Sequence, residues 1–313
     1  MKPIKIAVLL LFSMTFFACG WGRSLTPVPE HLSAGAKQIQ KGLRCYQKGC
    51  YDKALEHFLR AHELYSASDV LDGVAMSLNN LGSVYQAMGN CEHALLYFDE
   101  SYRMYVYLKK DEEAARTLNN RASALITMGR LDEAEEVLSR GLGMVTKANN
   151  SKVRFAILNN KGVLLTKRME YKEAETVLVD CLQAMGQDTL QSNASVYFAL
   201  GNLMLETQRF EKAVAFFDKA LESDRQVGFY KGMADDLYYM GLAFFKAEEG
   251  EDAIQRWKRS AKIYAMIRCV NDVKKVMKCL KESSRQYGAD IGLTELFIKS
   301  WLRGESYERL CDD

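Results

Sequence analysis

The tripeptide Leu-Asn-Asn stands at 78–80, 118–120 and 158–160, two successive spacings of forty residues. Downstream of each, an acidic or aromatic residue leads to an alanine: "CEHALLYF" from 91, "LDEAEEVL" from 131 and "YKEAETVL" from 171. The same frame extends to "YDKALEHF" from 51, "FEKAVAFF" from 210 and "EDAIQRW" from 251, so six copies of one unit are visible. A chain of 313 residues would otherwise suggest about two domains, but a repeat array grows in one dimension.

Within each copy a small residue lies twelve before the key alanine: Gly42/Ala54, Gly82/Ala94, Ala122/Ala134, Gly162/Ala174, Gly201/Ala213 and Gly241/Ala253. A bulky residue follows that alanine by four (Phe58, Phe98, Leu138, Leu178, Phe217, Trp257). Another small residue comes three or four later (Ala61, Ser101, Gly141, Cys181, Ala220, Ala261). This is the pattern of two helices crossing closely at small residues, with a large side chain filling the space beside the crossing. The three prolines are Pro3, Pro27 and Pro29, so residues 30 to 313 contain none, and Ala, Leu, Glu and Lys abound, as in an all-helical chain. Turn and capping residues separate the paired helices ("KGCYD", "MGN", "MGRLD", "RMEY", "QRFE", "AEEGED"). A helix pair with one apolar flank cannot bury it alone, so the copies stack.

"LNNLGSVYQAMGNCEHALLYFDES" resembles a tetratricopeptide repeat, with Leu81, Gly82, Tyr85, Ala94, Phe98 and Ser101 at the signature places. The resemblance covers residues 35 to about 270. The period departs from the common value of about 34: it is 40, 40, 40, 39 and 40, read off Gly42, Gly82, Ala122, Gly162, Gly201 and Gly241. The longer unit is similar to that of kinesin light chains and related bacterial peptide-binding regulators, whose repeats also carry "LNNL". The expected fold is an all-α, right-handed solenoid of about six helix pairs (35–270), a capping helix (271–288) and an amphipathic C-terminal helix and tail (289–313).

The resemblance implies that the first helix of each copy lines a concave groove. It carries the positions three and two before the small residue into that groove. These hold Ile39 and Gln40, Asn79 and Asn80, Asn119 and Asn120, Asn159 and Asn160, Phe198 and Ala199, and Tyr238 and Tyr239. A carboxamide offers two donors and an acceptor, so a ladder of them suits an extended peptide's backbone whatever its side chains. Ser83, Ser123 and Asn202 add polar groups, while Phe198, Tyr238 and Tyr239 offer aromatic anchoring toward the far end. The plain alternative is that one asparagine of each pair bonds the neighbouring copy and fixes the stagger between repeats. No matching set of Lys and Arg stands beside the asparagines, with Arg116 and Lys167 isolated.

The first residues read as a targeting segment. Lys2 and Lys5 precede an apolar stretch, Ile6 to Phe17, too short for a membrane span of roughly 20 residues. Phe16-Phe17-Ala18-Cys19 resembles a bacterial lipobox, with Phe16 where leucine is preferred. The expectation is a signal peptide over 1–18, lipid on Cys19 and a flexible tether over 19–34; the alternative is an ordinary secretory signal. By the same resemblance Gly20 points to the periplasmic face of the outer membrane, with the membrane engaged only through the N-terminal lipid.

Catalysis finds no support. His31, His57, His62 and His93 form no HExxH or similar pattern and read as solvated, and no phosphate loop or zinc spacing is present. No cofactor, metal or small-molecule substrate is expected. The 42 basic and 40 acidic side chains give a formal charge of +2, which does not call for nucleic acid. Of eight cysteines, Cys45 and Cys181 read as packing residues, and a bridge between Cys50 and Cys91 is possible at adjacent turns. "NDVKKVMKCLKESSRQYG" reads as the cap. In "IGLTELFIKSWLRG" the stripe Leu293, Leu296, Phe297 and Trp301 either packs back on the array, docks a partner or plugs the groove. The function expected is a non-catalytic adaptor binding a peptide or partner protein for assembly of an envelope complex. The alternative is a peptide-sensing regulator whose superhelix responds to a small ligand.

Overall fold

The computed structural model describes residues 30–145, 152–185 and 190–305. The expected signal peptide, Cys19, the tether up to residue 29 and the last eight residues lie outside them. The six copies form the helix pairs α1 (Glu30–Lys48) with α2 (Tyr51–Ala67), α3 (Leu71–Ala87) with α4 (Cys91–Tyr107), and α5 (Asp111–Thr127) with α6 (Leu131–Met144). They continue with α7 (Lys152–Lys167) and α8 (Tyr171–Met185), α9 (Leu190–Glu206) and α10 (Phe210–Val227), and α11 (Tyr230–Lys246) and α12 (Gly250–Met266). The cap is α13 (Val270–Tyr287), and α14 (Gly292–Leu302) follows it. Helix α1 begins at Glu30, so residues 30 to 34 are helical where a tether was expected.

Two helices of 17 residues joined by three-residue turns account for the period of forty. The described turns share one construction, a Schellman closure. In the turn after α3, Gly89 takes φ +85, its N–H bonds the Gln86 carbonyl at 2.9 Å, and Asn90 N–H bonds the Tyr85 carbonyl at 2.8 Å. The equivalent bonds Val70 to Tyr65, Lys110 to Tyr105, Glu170 to Leu165 and Cys269 to Tyr264 repeat it around the array. Several of these turns place a non-glycine residue at positive φ: Asp69, Lys109, Met169, Gln208, Glu248 and Arg268.

The predicted crossings are present. A Cβ added at Gly82 would stand 2.6 Å from the Phe98 ring, and Gly42, Gly201 and Gly241 face Phe58, Phe217 and Trp257 in the same way. In copy 2 the second small residue touches the first helix of its own pair, with Ser101 Oγ donating to the Ala75 carbonyl at 2.8 Å. In copy 6 this contact is made by Ser260, one residue before the expected Ala261, whose Oγ donates to the Ala234 carbonyl at 2.7 Å.

The array curves until its ends meet. The turn at Gly49 packs on Ile267, 2.8 Å from where a Gly49 Cβ would lie, and Cys269 joins the apolar cluster of the first pair. Beside them Lys231 donates to Asp235 at 2.7 Å and forms an ion pair with Asp272 at 3.6 Å, and its ammonium lies 5.0 Å from the centre of the Tyr264 ring. Burial works against the charge of Lys231, but Asp235 and Asp272 hold its pKa above that of an ordinary lysine. Tyr51 at the same seam is driven far above the usual phenol range by burial, then by Tyr46 and Cys269.

The C-terminal stripe divides: Trp301 packs against the last apolar cluster of the array, whereas Leu293 and Leu296 do not. Thr294 and Ile298 are the buried residues of α14, while Leu293 and Leu296 are exposed and Phe297 stacks on Trp301 with ring centres 5.3 Å apart. Cys91 is a free thiol whereas Cys50 is in a disulfide, so those two turns are not joined. His57 is half-buried and bonds Gln38 at 2.8 Å, so it is not a freely solvated group. No described helix is long and apolar enough to cross a membrane.

Candidate functional site

The first helices of copies 3 to 6 enclose a concave cavity of about 950 Å³. Its wall carries Ser123, Asn159, Asn160, Phe198, Asn202 and Tyr239. A smaller hollow of about 360 Å³ adjoins it along Asn119, Asn120, Ser123, Asn159 and Asn160.

The asparagine pairs bond one another across the copies. Asn120 Nδ2 donates to Asn79 Oδ1 at 3.1 Å, and Asn160 Nδ2 donates to Asn119 Oδ1 at 2.8 Å and to the Asn119 carbonyl at 3.2 Å. In each rung the second asparagine of one copy reaches the first of the copy before it. The ladder therefore ends where the sequence stops supplying asparagine. Asn159 would need a donor from copy 5, where Ala199 stands, and its Oδ1 is buried with no hydrogen-bond partner among the described residues. At the other end, copy 1 holds Ile39 at the position equivalent to Asn79, so it offers Asn80 no acceptor amide. A buried acceptor left unpaired costs about 1–3 kcal/mol, so a donor brought to Asn159 gains what the fold leaves unused.

The remaining predicted residues divide. Ser83 Oγ donates to the Asn79 carbonyl at 3.1 Å, Asn202 Nδ2 donates to the Phe198 carbonyl at 3.1 Å, and Ser123 Oγ accepts from Gln86 at 2.9 Å. Phe198 and Tyr239 meet edge to face at 5.2 Å between ring centres and form the aromatic part of the wall. Tyr238 is not among the groove residues. It is buried toward the cap, with the Lys275 ammonium 4.2 Å from its ring centre and Cys279 hydrogen-bonded to its hydroxyl. Successive residues of a helix point about 100° apart, and at this position the Lys275 and Cys279 side chains of α13 take the Tyr238 side, leaving Tyr239 to the groove.

Sequence reasoning missed an acidic stretch of the same wall: Glu206, Asp224, Asp235 and Asp236. Asp235 is bonded by Lys231 and by the Tyr264 hydroxyl. Asp224 and Asp236 are 6% and 1% exposed, and Asp236 Oδ2 has no partner among the described residues. Burial pushes the Asp224 carboxyl up to about 7, with Asp235 adding to it. Burial, Asp224 and Asp235 push Asp236 up to about 9. The signal was in the repeat frame. Five before the small residue, copies 2 to 5 hold Ser77, Thr117, Ile157 and Val196, all buried, and Asp236 stands at that same inward position.

Two models of the tetratricopeptide repeat match the chain, one over residues 35–105 and 153–226 and the other over 79–152. No curated protein matches it in sequence. Among solved structures it is similar to the Rap conjugation gene regulator of plasmid pLS20 in complex with the Phr* peptide, at 16% identity over 93% of this chain and 80% of that one, with a TM-score of 0.65. It is similar to a Rap protein complexed with Competence and Sporulation Factor at 13% identity, covering 81% and 75% of the two chains, with a TM-score of 0.59. A putative kinesin light chain from Podosopora anserina with nearly identical TPR-like repeats is 17% identical over 63% of this chain and 98% of that one, with a TM-score of 0.46. Six copies in one frame, paired helices crossing at the small residues and matches over residues 35 to 226 agree: the chain belongs to the tetratricopeptide-repeat family.

Proposed function

We propose that this protein is a non-catalytic adaptor that holds an extended peptide, or the tail of a partner protein, in its concave groove. The observation that carries the reading is Asn159 Oδ1, a buried acceptor without a partner among the described residues, on the wall of a cavity of about 950 Å³. A peptide N–H is the donor that such an acceptor lacks, and Phe198 and Tyr239 beside it offer apolar surface to a side chain. A structure of the same fold in complex with the Phr* peptide supports the choice of ligand class.

Affinity selection of a randomised hexapeptide library on the full chain tests this, followed by anisotropy measurements on two variants. Asn159→Ala is expected to weaken binding of selected peptides about tenfold with little change in melting. Asn160→Ala, which breaks a rung, is expected to lower stability by about 1 kcal/mol. No selected peptide, or equal affinity in wild type and Asn159→Ala, contradicts the reading.

The N-terminal segment supports export and lipid attachment at Cys19, which would hold the adaptor at the periplasmic face of the outer membrane for assembly of an envelope complex. Cys19→Ser is then expected to move the protein from the membrane fraction to the soluble periplasm; an unchanged distribution contradicts anchoring.

A second reading, a sensor whose superhelix responds to a peptide, is favoured by Asp235. Its carboxylate lines the groove and also holds Lys231, which lines the seam between the first and last copies. A ligand that draws on Asp235 therefore acts on the contact that closes the array.

A further inference from the structure

Eleven residues after the key alanine, the six copies hold Tyr65, Tyr105, Val145, Met185, Asp224 and Tyr264, every one of them buried. Asp224 is the one carboxylate at this position, and Asp236 is the one carboxylate at the other core position described above. Both fall at the joint between copies 5 and 6. In the first joint the Tyr65 ring lies over Gly73, so close that an added Cβ would overlap it. Gly232 occupies the matching place in the fifth joint and faces the Asp224 carboxylate and Phe229 instead. A carboxylate fills less space than a phenol ring, and the groove cavity reaches inward there to Asp224, Gly232 and Asp236.

The pair lacks a cation of its own. Lys231 is committed to Asp235 and Asp272, and no lysine or arginine among the described residues forms an ion pair with Asp224 or Asp236. Lys167 is the cation on the cavity wall, set against Glu206, Asp224, Asp235 and Asp236. Removing two carboxylates from water without a counter-charge is expensive, and an unpaired buried oxygen adds to that cost. Selection for packing alone would place uncharged residues at these positions, as copies 2 to 4 do with Ser77, Thr117 and Ile157 at the one and Tyr105, Val145 and Met185 at the other.

We propose that the joint between copies 5 and 6 is a subsite for a cationic nitrogen of the bound peptide, an ammonium or guanidinium that enters from the groove and is held by Asp224 and Asp236. The proposal rests on the groove reading above and gives the peptide a direction, with its cationic group at α10 and α11 and its backbone running toward Asn159. The raised pKa values of both carboxyls fit a pair that shares protons until a cation arrives.

The test uses the full chain and hexapeptides from the same library, each with a free or acetylated N terminus and with lysine, arginine or norleucine at each position in turn. Wild type is expected to prefer a cation at one place at least tenfold; a preference for lysine or arginine assigns a side chain, and a preference for the free amine assigns the terminus. Asp236→Asn and Asp224→Met are expected to lose that preference while binding the norleucine peptides as well as wild type does. Binding without charge preference, or preference retained in both folded variants, overturns the cation subsite and leaves the groove reading standing. If no hexapeptide binds, the groove reading fails, and argininamide tests the carboxyls alone. Millimolar argininamide should lower the carboxyl carbon titrations of Asp224 and Asp236 in NMR spectra, and unmoved titrations overturn the proposal.

Discussion

Single residues set the spacing of the helices. Gly82 is required because Phe98 occupies the space of its Cβ, so Gly82→Ala is expected to cost about 1–3 kcal/mol by overpacking. Trimming the ring in a Gly82→Ala/Phe98→Leu double variant should recover part of the loss. Urea denaturation of the two variants checks this, and an unchanged midpoint in Gly82→Ala contradicts the crossing. Asp224 and Asp236 make a second residue-scale prediction. Their native pKa values stand above the unfolded value near 3.9, so the folded chain retains protons that the unfolded chain has released. Stability contributed by the protonated pair is complete below pH 4 and is lost as pH rises from there to about 7 for Asp224 and about 9 for Asp236, by up to about 1.4 kcal/mol per pH unit for each retained proton. Denaturation at pH 6, 7, 8 and 9 should show a falling stability that is flatter in Asp236→Asn. The carboxyl pair was hard to read in the sequence, because "ADDLYYMG" resembles a solvated helix face until it is aligned with Ser77, Thr117, Ile157 and Val196.

At the scale of elements, the helices and their pairing were legible because packing repeats: the same small-to-bulky spacing recurs in six copies and each instance is a crossing. The turns were legible in place but not in chemistry. Gly89 and Gly129 suit the left-handed position, yet Met169 takes φ +64 and Glu248 also φ +64 in the matching turns. A side chain there costs roughly 1–2 kcal/mol. Met169 is 74% exposed and packs little, so Met169→Gly is expected to raise stability by about 1 kcal/mol. A variant that melts lower would show that the Met169 side chain has a role its exposure conceals. The orientation of α14 was not legible, since its apolar stripe and the face carrying Thr294 and Ile298 are both present in one short helix, and the return onto α12 selects the second.

At the scale of the whole molecule, closure of the array is the feature that no single repeat announces. The sequence frame sets the helix pairs, but curvature accumulates from small rotations at each joint, and only their sum brings Gly49 to Ile267 and Tyr51 beside Asp272. Ile267 is 3% exposed at that seam, so Ile267→Glu is expected to open it. Small-angle scattering should then report a larger radius of gyration with helicity retained; an unchanged radius contradicts the closed array. The central claim is that the concave face enclosed by this curvature holds a peptide. Hydrogen exchange read by mass spectrometry, with and without a saturating hexapeptide selected from the library, tests it most directly. The account predicts added protection in α7, α9 and α11, diminished in Asn159→Ala; protection confined to the outer helices or α14, or none at any helix, would contradict it.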